Sequence, residues 1–110
     1  MRPQSAKAKG RNFQKWVREQ LIEHRDVHPE DIESRSIGAG GEDLIMARDA
    51  RKKFPFSIEC KNQEKLNVYD AYAQAEANSG DHEPILFMKR NHKKPLVVVD
   101  AEYFIKNFRT

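Results

Sequence analysis

Three residues of the chain have the charges and spacing that suit hydrolysis of a phosphodiester, namely Asp43, Glu59 and Lys61. Side chains alternate between the two faces of a β-strand, so Glu59 and Lys61 share one face and Cys60 lies on the other. Two carboxylates offer the hard oxygen ligands that Mg²⁺ prefers, and bound Mg²⁺ neutralises a phosphate and lowers the pKa of a water. A lysine beside them positions that water or stabilises the charge of the transition state. These residues therefore predict a metal-dependent catalytic centre.

Two short apolar runs must position this group. Residues 43–48 and 54–61 are predicted to be strands of an antiparallel hairpin, with a turn at 49–53, and the hairpin would bring Asp43 to Glu59 and Lys61 at a sheet edge. The glycine-rich residues 36–41 are predicted to form a loop before the first strand. The alternative is that Glu59 and Lys61 are ordinary solvent-facing residues of an edge strand.

The remaining elements follow from periodicity, capping and turn residues. Apolar residues at spacings of three and four predict a first helix, Asn67 is a good N-cap for an alanine-rich helix, and two apolar runs flank a basic turn. The predicted fold class is α/β, an α-β-β-α-β-β-α sandwich with a central mixed sheet. Its further predicted segments are helix 11–25, a turn with one short helical turn at 26–33, helix 68–78, strands 84–89 and 95–100, and helix 101–108.

Length and composition favour one small domain without a membrane span. The chain has 110 residues, and no apolar run approaches the roughly 18 residues that cross a bilayer. The N-terminus is polar, and the lone Cys60 has no internal disulfide partner, which favours a cytoplasmic protein in a reducing compartment. The glycines of residues 36–41 lack the order of a P-loop, so no nucleotide cofactor is predicted.

Basic residues are concentrated in two clusters. Residues 1–18 contain six basic and no acidic residues, although the whole chain has 20 Lys and Arg against 17 Asp and Glu. Residues 1–9 are predicted to be a flexible basic arm, and a second cluster follows at 89–94. Such clusters are typical of phosphate-backbone binding, although solubility explains a single one. The predicted DNA contacts are Lys7, Lys9, Arg11, Lys15, Lys89, Arg90 and Lys93, with Ser36 as a possible hydrogen-bond donor to phosphate.

Asp43, Glu59-x-Lys61 and the predicted order of elements resemble the PD-(D/E)xK nuclease superfamily, which has a restriction-endonuclease-like fold. Within it the chain is most similar to small Holliday junction resolvase-like proteins of archaeal and virus-encoded type. The resemblance implies that residues 10–110 form a single nuclease domain, that Asp43 and Glu59 ligate Mg²⁺, with Mn²⁺ able to substitute, and that Lys61 is the catalytic lysine. It also implies a site role for Gln74, on the helix after Glu-x-Lys, although Gln74 can equally be an ordinary exposed helix residue.

One position departs from the family pattern. Family members often carry an acidic residue on the first helix soon after a Lys-Gly pair, whereas here Lys9-Gly10 is followed by Gln14. Either Gln14 or Glu19, one turn further on, is a possible helix-one site residue, and Glu19 can equally be a solvated helix residue.

The resemblance implies an endonuclease that acts on branched DNA in recombination, as a Holliday junction resolvase does. Two cuts in a junction imply a homodimer, for which residues 95–108, with Phe104, Ile105 and Phe108, could supply the interface or simply cap the core. A virus-encoded protein would act in the host-cell cytoplasm. The alternatives are a nicking or end-processing nuclease on linear DNA and a non-catalytic nucleic-acid-binding module.

Trp16 lies on the apolar face of the first predicted helix and is therefore predicted to belong to the core.

Overall fold

The first helix packs an apolar stripe against the rest of the chain. In a computed structural model, which describes residues 5–36 and 40–109, helix α1 spans Ala6–His24. Its residues Phe13, Val17 and Leu21, each four positions from the next, are all buried. The helix predicted from periodicity is therefore confirmed.

Helix α1 begins earlier than predicted. The side chain of Ser5 accepts a hydrogen bond from the amide of Ala8 at 3.1 Å, and this N-cap satisfies one of the free amides of the first turn. Gly10 lies inside the helix although glycine there costs about 1 kcal/mol relative to alanine. Residues 6–9 of the predicted arm are thus helical, while its residues 1–4 lie outside the described residues.

The chain then forms a small antiparallel sheet that the sequence did not predict. A 3₁₀ turn at Pro29–Asp31, as expected for this segment, leads into strand β1, Ile32–Ser34. Strand β1 pairs with β2, Leu44–Met46, so that Ile32 lies opposite Met46. The glycine-rich segment between them was predicted as a loop, and its residues 37–39 lie outside the described residues.

The predicted hairpin between residues 43–48 and 54–61 is wrong. Helix α2, Arg48–Lys53, occupies the predicted turn, and β2 pairs with β1 and not with the strand that follows. Ala50 of α2 is buried, and this contact with the core explains why a polar six-residue segment becomes helical.

The second sheet is mixed, as predicted. Strand β3, Phe56–Asn62, runs parallel to β4, Glu83–Lys89, which pairs in antiparallel fashion with β5, Leu96–Val98. Helix α3, Val68–Ala77, makes the crossover that two parallel strands require. The predicted Asn67 cap is confirmed, because its side chain accepts the amide of Asp70 at 3.0 Å.

The chain ends in helix α4, Ala101–Asn107, whose cap Asp100 accepts the amide of Tyr103 at 2.8 Å. The described residues thus form an α/β fold with one mixed three-stranded sheet, one antiparallel two-stranded sheet and four α-helices. The predicted order omitted β1 and α2, and the restriction-endonuclease-like topology stays a prediction. Within residues 5–36 and 40–109, no helix combines the length and apolar character needed to cross a membrane.

Candidate active site

A cleft of about 560 Å³ opens beside the carboxyl-terminal half of β3. The first turns of α1, the residues that lead into β2, and α3 form its other walls. The side chains predicted from the sequence that line it are Asp43, Glu59, Lys61, Gln74, Gln14 and Lys7. Residues that are as much as 67 positions apart in the sequence therefore share one cavity.

Glu59 and Lys61 lie on the same face of β3, as strand alternation predicts. Glu59 is only 3% exposed, and its Oε1 is 3.6 Å from Nζ of Lys61. The amide Nδ2 of Asn78 donates to Glu59 Oε2 at 3.4 Å. A carboxylate removed from water is costly unless charged or hydrogen-bonding partners compensate, and Lys61 and Asn78 are such partners.

Asp43 is held against β3 by two hydrogen bonds in opposite directions. Its amide donates to the carbonyl of Ile58 at 2.9 Å, and its carboxylate Oδ2 accepts the amide of Cys60 at 2.7 Å. Gly41 precedes it with φ +92°, a conformation that glycine adopts without strain. The aspartate therefore reaches Glu59 without the predicted hairpin, through side-chain and backbone contacts to the edge of β3.

Glu42 is adjacent in sequence to Asp43 but belongs to a different environment. Its carboxylate forms an ion pair with Arg51 of α2, and it does not line the cleft. Asp43 rather than Glu42 therefore lines the cleft, and its role as a metal ligand stays a prediction.

Both cleft carboxylates have raised pKa values. Burial raises the pKa of Asp43, against the lowering effects of the Cys60 amide and of the cations Lys61 and Arg35. Burial also raises the pKa of Glu59, and repulsion by Asp43 adds to it, while Lys61 and Asn78 act in the opposite direction. Two desolvated carboxylates that repel each other create a place where an added cation is stabilising.

The donor set fits Mg²⁺. Among the described residues, no three His, Cys, Asp or Glu side chains come together as a metal-binding group, so the cleft offers the two carboxylates of Asp43 and Glu59. Mg²⁺ is usually held by one or two carboxylates and keeps several waters that substrate phosphates can replace. Asp43 and Glu59 would therefore hold such an ion.

Of the two possible site residues on helix α1, Gln14 and Glu19, only one lines the cleft. Gln14 is 3% exposed and lines the cleft, and its Oε1 accepts a hydrogen bond from Ser34 Oγ at 2.6 Å. The carbonyl oxygen of the Gln14 amide is therefore engaged as an acceptor, and the NH₂ group of the same amide can donate a hydrogen bond to a ligand. Glu19 is exposed and does not line the cleft. Gln14 is thus the helix-one residue that reaches the site.

Sequence reasoning missed Asn78 and Ser34. Asn78 follows Gln74 by four positions, so both lie on one side of α3 and its C-cap, and this spacing could have identified it. Ser34 gave no such signal, because its role depends on β1, a strand that the sequence did not predict.

Cys60 does not act as a nucleophile in this arrangement. Its side chain belongs to the hydrophobic core, and burial raises the pKa of the thiol well above its usual value, with Asp43 and Glu59 adding to the shift. A neutral, buried thiol is a poor nucleophile.

A second, smaller groove of about 290 Å³ adjoins the cleft, and Asn62 lines both. We call it the Trp16 groove. It is formed by Lys9, Asn12, Phe13 and Trp16 of α1 together with Asn62 and Lys89 of the parallel strands. Trp16 is 40% exposed, so the prediction that it belongs to the core is wrong, because the buried stripe of α1 passes through Phe13 instead.

The predicted DNA contacts divide into two sets. Lys7 lines the cleft, and Lys9 and Lys89 line the Trp16 groove. The other five are outside both cavities and lie at the surface; they are Arg11, Lys15, Ser36, Arg90 and Lys93.

Comparison of the chain with protein-family models, with curated proteins and with solved structures gives no significant match in any of the three. The site geometry is therefore the basis for assigning a function.

Proposed function

We propose that the protein is a metal-dependent DNA endonuclease that hydrolyses phosphodiester bonds in branched DNA. The observation that carries the proposal is the meeting of Asp43, Glu59 and Lys61 in one cleft, where both carboxylates have raised pKa values and a lysine lies beside them. Two carboxylates that would hold a metal ion, with a lysine beside them, suit hydrolysis of a phosphodiester, because the ion and the lysine would both offset the negative charge of the phosphate.

Each cleft residue has a distinct role in the proposed reaction. Asp43 and Glu59 would hold Mg²⁺, and the bound ion would supply positive charge to offset the scissile phosphate and to lower the pKa of a water. Lys61 orients the attacking water or stabilises the charge that develops on phosphate. Asn78 keeps the Glu59 carboxylate in place, and the NH₂ group of Gln14 donates to a phosphate oxygen.

The surroundings of the cleft support a nucleic-acid substrate. Lys7 on the cleft wall and Lys9 and Lys89 in the neighbouring groove supply positive charge where a DNA backbone would pass. Phosphate contacts of this kind position a duplex without reading its sequence. The preference for branched DNA is the part of the proposal that comes from the resemblance to junction resolvases.

Resolution of a four-way junction also requires two active sites, so we propose a homodimer. The surface formed by β5 and α4 exposes five large apolar side chains, and such residues are typical of interaction sites when they lie close together. They are Leu96, Val97, Phe104, Ile105 and Phe108, each at least half exposed, and the rings of Phe104 and Phe108 pack against each other. A twofold interface buries the same patch on both subunits, which makes this face its best location.

The test is a cleavage assay in Mg²⁺ with a labelled four-way junction and a linear duplex of matched sequence. We expect paired, symmetric cuts in the junction, and we expect Lys61→Ala to lose them while DNA binding is retained. Equal cutting of both DNAs would support a nicking or end-processing nuclease instead. Tight binding without cutting in any divalent metal would contradict the enzyme assignment and favour a non-catalytic binding module.

A further inference from the structure

The Trp16 groove has features that the proposed chemistry does not use. The indole of Trp16 packs in a stacked arrangement on the ring of Phe13, with ring centroids 6.0 Å apart and an interplanar angle of 21°. Phe13 is 3% exposed, whereas Trp16 is 40% exposed. A buried ring thus supports an indole that keeps a substantial surface open to the groove.

The position of these rings on α1 is regular. Lys9, Asn12, Phe13 and Trp16 are related by three, four and seven positions, so they occupy one side of the helix. Across the groove, Asn62 and Lys89 face each other as the last pair in the parallel β3–β4 register. The groove therefore presents an aromatic surface, two amides and two lysines next to the cleft, with which it shares Asn62.

We propose that the Trp16 groove binds one unpaired nucleotide of the DNA next to the scissile phosphate, with its base stacked on Trp16. The two lysines contact the phosphates on either side of that nucleotide. The identity of this ligand rests on the proposed nuclease function, because the groove and the catalytic cleft meet at Asn62.

Size, charge and chemistry all favour an unpaired nucleotide over a paired one. The bases of an intact duplex have their faces covered by their neighbours, so an aromatic side chain stacks only on a base that has left the helix. A cavity of about 290 Å³ is at the lower limit for small-molecule sites, which suits a single base and excludes a duplex. Lys9 and Lys89 match the charge of the adjoining phosphates.

The inference narrows the class of substrate. A nuclease with such a groove prefers DNA in which at least one nucleotide near the cut is unpaired, as at a fork, a flap or an opened branch point. A junction that is fully base-paired at its centre would bind less well than the same junction with unpaired nucleotides at the branch.

The chain contains a single tryptophan, so the tryptophan fluorescence of the unaltered protein, excited selectively over that of its three tyrosines, reports on this groove alone. We would titrate the protein in EDTA with a duplex that carries a single-stranded oligothymidine tail, and with a fully paired duplex of the same length. The tailed DNA should quench the emission of Trp16 and the paired duplex should not. Equal emission with both DNAs, at concentrations where both bind, would overturn the proposal.

Variants give a second and independent measurement, the affinity for tailed DNA measured by fluorescence anisotropy of the labelled DNA. Trp16→Ala should weaken it about five- to a hundredfold, the range expected for loss of one stacked base, and Trp16→Phe should retain most of it. The matched control is Tyr69→Ala, because Tyr69 of α3 is 88% exposed and lies outside the groove. Wild-type affinity in Trp16→Ala would contradict the proposal.

Cleavage, measured separately in Mg²⁺, distinguishes this inference from the proposed function. Metal-dependent cutting without any quenching of Trp16 would remove the nucleotide subsite and leave the nuclease. Quenching by tailed DNA without cutting in Mg²⁺ or Mn²⁺ would support the subsite and remove the nuclease.

Discussion

The molecule carries two groups of acidic residues at opposite ends of its mixed sheet, and they differ in what surrounds them. Beside the carboxyl-terminal half of β3, Asp43 and Glu59 are accompanied by Lys61, by an amide and by a backbone N–H. At the start of β4, Glu83 shares a shallow pocket with Glu76, Asp100 and Glu102, and the lysine that lines this pocket, Lys106, pairs with Glu102 at 2.6 Å rather than with Glu83. Each end contains a carboxyl group with a raised pKa.

The two ends differ in whether neighbouring groups stabilise the ionised form of the buried carboxyl group. Burial and then the charges of Asp100 and Glu76 raise the pKa of Glu83, and no group that lowers it contributes. Glu59 is far more buried, yet Lys61 and Asn78 offset part of the same cost. Mutual repulsion of acids therefore does not by itself indicate a catalytic site. A cation and hydrogen-bond donors placed among buried acids are the informative feature.

The largest expected effect is a loss of cleavage when the carboxylates of the cleft are replaced, but not when Glu83 at the other end of the sheet is replaced. Asp43→Asn and Glu59→Gln should each reduce cleavage about a thousandfold or more, because loss of a metal ligand removes several kcal/mol of transition-state stabilisation. The amide replacements keep the shape of each side chain, so circular dichroism should show an intact fold. Glu83→Gln is the matched control and should cut normally. Normal cutting by either cleft variant would remove that residue from the site.

A smaller expected effect is the weakening of the proposed dimer when exposed apolar residues of α4 are replaced. Phe104→Glu and Ile105→Glu should weaken the proposed dimer about 30-fold or more, the loss expected when a central apolar contact is removed from an interface. Sedimentation equilibrium would measure it, with Tyr69→Glu as the exposed control on α3. We expect paired junction cuts to become single nicks. A monomeric wild-type protein at assay concentration would contradict the dimer.

Positive charge near the cleft should influence DNA binding more than charge elsewhere. Lys7→Ala and Lys9→Ala should each reduce the salt dependence of DNA binding by about one unit of log–log slope, since each lysine displaces one counterion. The control is Lys52→Ala, an exposed residue of α2 that lines neither the cleft nor the Trp16 groove. A slope that changes equally in all three variants would indicate only a general charge effect.

The smallest effect is on stability at the start of β4. Because the folded-state pKa of Glu83 is raised, its ionised form destabilises the fold at neutral pH, and that penalty disappears as the pH falls through the raised pKa. Glu83→Gln should therefore raise the free energy of unfolding by less than about 1 kcal/mol at neutral pH, with solvent screening keeping the gain small. Urea denaturation near pH 7 and near pH 4 would measure the difference, which should be smaller at the acidic pH. A gain that is equal at both pH values would contradict the electrostatic explanation.

Local signals in the sequence predicted much of the fold and the centre of the site. The Asn67 cap, the apolar stripe of α1, the two antiparallel strands joined by the basic turn, and the shared face of Glu59 and Lys61 depend on neighbours within a few positions. These features require no knowledge of the rest of the chain.

The errors arose where distant contacts decide the structure. Strand β1 exists because its three residues pair with β2, and α2 forms although its N-cap residue, Ala47, provides no side-chain hydrogen bond. The Gln14–Ser34 hydrogen bond spans 20 positions and depends on that unpredicted strand. The exposure of Trp16 depends on which side of α1 the sheet covers, and periodicity alone placed Phe13 and Trp16 together.

The contacts of Asp43 have a consequence for solubility and for how the chain tolerates change. Strand β3 is the outer strand of its sheet, and an outer strand with free backbone groups invites pairing with other chains. Asp43 occupies two of those groups, the carbonyl of Ile58 and the amide of Cys60, as a neighbouring strand would. A hydrogen-bond acceptor at position 43 therefore protects against aggregation as well as serving the proposed chemistry. We expect Asp43→Ala to aggregate more readily than Asp43→Asn, even though both lack activity.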